Sequence, residues 1–295
     1  MEVYFFMAKL GLALSGGGAK GAAHIGVLQA FEEEGISIDY ISGTSSGSIV
    51  SCLYACGYTP YEILSMFKVY CKFMADYDKS IPFKLGSMLF SGKINIKGFA
   101  KGDNLEATVY KYCKLKKITN ISDVKMPLAI PAVDIATGET IYYLSERLNN
   151  TINNENEMEN SIINYSGNIA SIVRASSSFP GVFEPKFLNN RYLVDGGVRV
   201  NTPVSILKNM GADKVISVCF DTKSNNVSIN IVSIALKSFE IMGKELSRIE
   251  RNLSDIVITP KLSKISLLEC DKSTMIANAG YLAAKAAVQD IKNLI

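Results

Sequence analysis

The chain has 295 residues, 48% of them hydrophobic and 20% charged, with a net charge of +3. This length and apolar content suit one large packed domain and exclude an intrinsically disordered chain. The small net charge, with no recognisable module, speaks against nucleic-acid binding.

In chain order, Lys9–Leu14 reads as a buried first strand. The loop Ser15-Gly16-Gly17-Gly18-Ala19-Lys20-Gly21 follows, then a helix from Ala22 to Glu34 capped by Gly35. Residues 38–42 form a second strand that runs into Gly43-Thr44-Ser45-Ser46-Gly47 and a helix from Ser48 to Cys56. Strands are expected over 128–134, 140–144, 191–195 and 214–220. Helices are expected over 228–250 and 274–295, both covering the sheet rather than binding membrane, with an exposed partner-binding face as the alternative. Strands alternating with helices predict an α/β fold, a mainly parallel central sheet flanked by helices.

Two excursions interrupt this pattern. Residues 79–117 carry nine lysines and two acids, Asp103 and Glu106, interleaved with Phe83, Leu85, Met88, Phe90 and Phe99. Two readings stand side by side: a lid or contact with an anionic lipid surface, and a local core in a solvated excursion. Residues 149–168 have little to bury and read as a surface loop.

The chemistry concentrates in the two glycine-rich turns. G-x-S-x-G between a strand and a helix is a nucleophile-elbow pattern, because bulk beside the serine would obstruct so tight a turn. It would hold the Ser45 hydroxyl near a helix N-terminus, where developing negative charge is favoured. The triple glycine exposes backbone N–H groups that could bind phosphate or stabilise an oxyanion. Gly16-x-Gly18-x-x-Gly21 also fits a dinucleotide fingerprint, but that reading needs an acid at the end of the second strand, and Asp39 lies at its start. No Walker A motif is present.

A serine nucleophile needs a base. His24, the single histidine, falls in the first turn of a helix and reads as a packed residue. Asp195 ends the run Arg191-Tyr192-Leu193-Val194 and precedes Gly196-Gly197, which makes it the better candidate beside the alternative of an Asx turn. Asp134 reads as part of a hairpin turn.

Taken together, these motifs resemble the patatin-like phospholipase family. Gly16-Gly17-Gly18-Ala19-Lys20-Gly21, Gly43-Thr44-Ser45-Ser46-Gly47 and Asp195-Gly196-Gly197 occur in the family's order. Arg174-Ala175-Ser176-Ser177-Ser178-Phe179-Pro180 and Asn201-Thr202-Pro203 add to the likeness, which covers about residues 8–220. Ser15 departs from it, since many relatives have an acid there. The resemblance implies a three-layer α/β/α domain over 1–295 and a Ser-Asp dyad acting on lipid acyl esters. Ser45 would be the nucleophile, Asp195 the base and Gly16, Gly17 and Gly18 the oxyanion loop. Lys20, Gly21, Gly43, Gly47, Gly196 and Gly197 would support the motifs. No counterpart is found for residues 221–295.

The expected substrates are (lyso)phospholipids or related lipids, met at a membrane or micelle surface. A lipid-binding protein of the same fold with little turnover is the alternative. No run reaches the ~18 apolar residues of a membrane span. Glu2 and Lys9 break the pattern of an export signal, and Met7 could be the start, so a cytoplasmic location with peripheral membrane association is expected. Cys52, Cys56, Cys71, Cys113, Cys219 and Cys270 read as reduced thiols, mostly in apolar contexts. Cys52 and Cys56 share a helix face, but the sequence reveals no further zinc ligands, so neither a metal nor a cofactor is expected.

Overall fold

The computed structural model describes residues 8–78, 101–148, 160–221, 231–262, 265 and 269–295. Much of the basic 79–117 excursion and most of the 149–168 loop therefore lie outside the described residues.

The strands are β1 (Leu10–Leu14), β2 (Tyr40–Gly43), β3 (Leu128–Asp134), β4 (Thr140–Leu144), β5 (Ser161–Asn164), β6 (Lys186–Leu188), β7 (Arg191–Asp195), β8 (Lys214–Val218) and β9 (Ile256–Ile258). The helices are α1 (Ala22–Glu33), α2 (Ser46–Ala55), α3 (Pro60–Asp78), α4 (Asp103–Leu115), α5 (Ile169–Ser176), α6 (Ser205–Met210), α7 (Ile231–Asn252) and α8 (Ser273–Leu294). Strand order is β5-β4-β3-β2-β1-β8-β9, with β7 joined to both β3 and β6. The row from β3 through β2, β1 and β8 to β9 is parallel. β4 and β7 run antiparallel to β3, so the sheet is mixed but mostly parallel.

Alternate residues of each central strand enter different cores, as the two-residue period of a strand requires. Leu10, Leu12, Leu14, Ile41, Leu128 and Ile130 join the larger core. Ala13, Tyr40, Ala129, Tyr142 and Val215 join the smaller core with Leu207 and Met210 of α6. Both faces are covered, which is why these strands read as apolar runs.

The sequence missed β5, β6 and β9. All three span only three or four residues and are incompletely buried, too short for their apolar residues, Ile162-Ile163 and Ile256-Val257-Ile258 among them, to read as strands. Helix α1 is buried on most sides because α8 crosses it closely. A Cβ at Gly26 would lie 1.8 Å from Ala277 O, and one at Gly280 would lie 1.9 Å from Ala23 O. Helix α8 thus lies over α1, and it touches the sheet it was expected to cover mainly at β9. Helix α7 covers the domain only in part. Ser247 and Glu250 face the 201–205 loop through polar bonds, while Ile234, Ile241, Met242 and Ile249 are 48–64% exposed. These four positions of its apolar stripe are exposed, in line with the alternative of an open face rather than with full cover of the sheet. Among the described residues, no helix is long and apolar enough to cross a membrane.

Candidate active site

Ser45 joins β2 to α2. Its backbone sits at φ 54°, ψ −122°, a conformation costly for a side chain with a Cβ, of order 1–3 kcal/mol. Several bonds hold it there. Its N–H donates to Ser176 Oγ at 3.2 Å, and its carbonyl accepts from Ser48 Oγ at 2.6 Å and Ser177 Oγ at 3.3 Å. Helix α2 starts at Ser46, two residues earlier than the sequence suggested, which makes Ser45 its N-cap. The flanking glycines are there for lack of space. A Cβ at Gly43 would lie 2.3 Å from Gly47 O, and one at Gly47 would lie 2.4 Å from Leu14 O. Ser45 stays partly exposed between buried neighbours.

The glycine loop lies directly against this turn. A Cβ on Gly16 would come within 3.2 Å of the Ser45 Cβ and 2.6 Å of Asn201 Oδ1. The Gly16 N–H is already committed, donating to Asn201 O at 3.0 Å. The N–H groups of Gly17 and Gly18 meet no acceptor among the described residues, and both residues are partly exposed. Lys20 and Gly21 are buried, and a Cβ at Gly21 would strike Ser46 at 2.6 Å.

Asp195 ends β7 and is 2% exposed. Its Oδ1 accepts from the Gly197 N–H at 2.8 Å, so the predicted Asx-type turn is present. Among the described residues, Oδ2 is buried without a well-aligned hydrogen-bond partner, and the Ser45 hydroxyl stands nearest to it. The backbone N–H donates to Ser178 O at 3.1 Å. Burial pushes the Asp195 carboxyl up to about 7, opposed by the nearby Ser45 hydroxyl and the Gly197 N–H. Gly196 packs on β3, where a Cβ would lie 2.5 Å from Pro131 O.

The other candidates separate cleanly. His24 is fully buried; its Nε2–H donates to Ser15 O at 2.8 Å and its ring packs on Phe220. Burial lowers it to about 4, so it is a neutral donor that holds the strand end leading into the glycine loop. Asp134 pairs with Arg191 at 2.7 Å beside Glu139, in the β3–β4 hairpin. Asp39 accepts from the Leu10 N–H at 2.7 Å, at the opposite end of the sheet from Ser45.

Two residues outside the predicted site also shape it. Arg174 is 1% exposed and donates to Ser178 Oγ at 2.6 Å, Glu184 O at 2.9 Å and Lys101 O. It thus braces the loop whose Ser178 carbonyl holds Asp195. Asn201 bridges Gly16 to α7 through Ser247 Oγ at 3.0 Å. Both stand in the stretches Arg174–Pro180 and Asn201–Pro203, but their contacts reach across the chain and no local pattern reports them.

A family model described as patatin-like phospholipase matches residues 12–208. An uncharacterized NTE family protein of Mycobacterium tuberculosis (strain H37Rv) is 26% identical over 314 residues, covering 97% of this chain and 47% of the relative. Lysophospholipase NTE1 of Candida albicans is 28% identical over 221 residues, covering 75% of this chain and 14% of the relative. The chain thus spans less than half the length of these relatives. Among solved structures, VipD from Legionella pneumophila aligns with a TM-score of 0.53 at 15% identity, over 96% of this chain and 67% of that one. ExoU of Pseudomonas aeruginosa, in its complex with SpcU, aligns at 0.51 and 17% identity, over 96% and 51%. At these identities the structural likeness concerns the fold alone. The family match covers the strand ends, the glycine loop, the elbow and Asp195, and the chain belongs to the patatin-like phospholipase family.

Proposed function

We propose that this chain is a serine acyl hydrolase that cleaves fatty-acyl esters of (lyso)phospholipids or related lipids, with 1–295 acting as one catalytic domain. One observation carries the reading: a strained, partly exposed Ser45 beside the buried Asp195, whose carboxyl burial raises to about 7. A carboxylate with that affinity is matched to accepting a proton near neutral pH.

Asp195 removes the Ser45 proton as Oγ attacks the acyl carbonyl. The negative charge that develops falls beside the α2 N-terminus and the N–H groups of Gly17 and Gly18. Gly16 serves this role through its missing side chain rather than its N–H, which Asn201 already takes. The alcohol leaves with the proton; water then gives a proton to Asp195 as its oxygen attacks the acyl carbon, the acyl–Oγ bond breaks, and Asp195 returns the proton to Ser45 as the fatty acid departs.

The exposed Ile241, Met242 and Ile249 on α7 support work at a lipid surface, since the same helix contacts Asn201 beside the elbow. A fluorophosphonate probe and p-nitrophenyl esters of graded chain length test the assignment. Labelling and hydrolysis should vanish in Ser45→Ala. A folded wild type that neither labels nor hydrolyses would leave the fold as a lipid-binding scaffold.

A further inference from the structure

The sequence offered Cys52 and Cys56 without further metal ligands, but the fold supplies one. Helix α4 brings Cys113 against α2, with its Sγ 3.8 Å from both Cys52 Sγ and Cys56 Sγ. The three sulfurs lie within 4.8 Å of one another, and all three residues are buried. A point about 2.2–2.5 Å from every sulfur follows from these separations; metal–thiolate bonds to soft ions are about 2.3 Å long. The sulfur spacing is already that of three thiolates around one soft ion.

We propose that Cys52, Cys56 and Cys113 form a three-sulfur site for a soft monovalent ion, Cu(I). Thiolates select soft ions such as Cu(I) and Zn(II). Coordination number separates the two. Structural zinc takes four ligands, and among the residues whose side chains are described no other His, Cys, Asp or Glu joins the three cysteines. Three sulfurs in a triangle satisfy a trigonal ion by themselves. Lys116 stands at the rim, donating to Gly57 O at 2.9 Å beside Cys56, and its charge offsets the anionic complex. Binding releases thiol protons to solvent and moves no electron when copper arrives as Cu(I). The ion would clasp α4 to α2, the helix that Ser45 caps.

The test is an anaerobic titration of the full-length, reduced protein with Cu(I) held by a chromophoric chelator. One ion per chain should be withdrawn, and X-ray absorption should count three sulfur neighbours. Cys113→Ser should weaken binding at least ~100-fold, since each thiolate is a primary ligand. Cys219→Ser, away from the cluster, should leave it unchanged. If Cys113→Ser does not fold, Cys56→Ser takes its place, with circular dichroism confirming the fold. Copper that stays on the chelator, or binding that survives loss of a cluster cysteine, would overturn the proposal. So would a tightly held four-coordinate zinc in its stead. None of these readouts depends on hydrolysis, so the site stands or falls apart from the proposed activity.

Discussion

Ser45 and Asp195 approach each other from opposite ends of one edge of β3. Strand β2 runs parallel along that edge, with Ser42 opposite Ala129, and then turns out at Ser45. Strand β7 arrives antiparallel on the same edge and ends with Asp195 opposite Ala132. The sheet is split there, and the gap between the two strand ends is the candidate site. A purely parallel sheet would not bring a late strand's carboxylate head-on to an early strand's turn.

This geometry predicts a pH profile. With Asp195 as the base, kcat/KM should rise through a single limb near pH 7, as the buried carboxyl, pushed up to about 7, loses its proton. Asp195→Asn should lose about 10²–10⁴ in rate, the usual span for a general base. A limb that persists in a folded, residually active Asp195→Asn would remove Asp195 from that role.

The strain at Ser45 predicts a trade between stability and activity. Glycine accepts φ 54°, ψ −122° at little cost, whereas serine is held there by Ser176, Ser177 and Ser48. Ser45→Gly should abolish turnover yet raise thermal stability by about 1 kcal/mol relative to Ser45→Ala, from release of that strain. Equal melting temperatures for the two variants would mean that the elbow stores no strain.

How much of this was legible in the sequence depends on how local the cause is. The turn at Ser45 and the glycine loop are set by neighbours a few residues apart, so their spacing reveals them. The main strands were legible because their apolar runs are buried on both faces. The Gly26–Gly280 crossing was not, because each glycine is explained only by a carbonyl some 250 residues away. Nor was the third cysteine, since Cys113 meets Cys52 across 61 residues of chain. The α7 stripe left two readings open for a related reason. Periodicity fixes which residues share a face, but not whether another layer covers it.

His24 and Asp195 should leave opposite marks on stability. His24 lies at about 4 when folded against 6.5 unperturbed, so its contribution is present above pH 6.5 and is lost as pH falls towards 4. Asp195 is shifted the other way, from 3.8 to about 7, so its contribution is greatest below pH 4 and is lost as pH rises through 7. Between pH 4 and 6.5 the two slopes oppose. Stability of Asp195→Asn should then rise with pH in that window, and stability of His24→Gln should fall, by up to about 1.4 kcal/mol per pH unit. Denaturant titrations across the window check both. His24→Gln should also keep its esterase pH limb; losing it would give the histidine a part in the chemistry.

Arg174 tests whether Asp195 is positioned from a distance. Its guanidinium serves Lys101 O, Ser178 Oγ and Glu184 O at once, and lies 4.9 Å from the centre of the Phe183 ring. A lysine has the charge but not the planar fork, so Arg174→Lys leaves at least one buried acceptor unmet. Each such group costs about 1–3 kcal/mol, and the melting temperature should fall accordingly. Because Ser178 O holds the Asp195 N–H, the same change should lower kcat more than it raises KM, through misplacement of Asp195, the proposed base, rather than loss of substrate contacts. An Arg174→Lys protein with reduced stability but unaltered kcat would confine Arg174 to the fold. Reduced kcat at a temperature where the variant is fully folded would tie it to the Ser45–Asp195 pair.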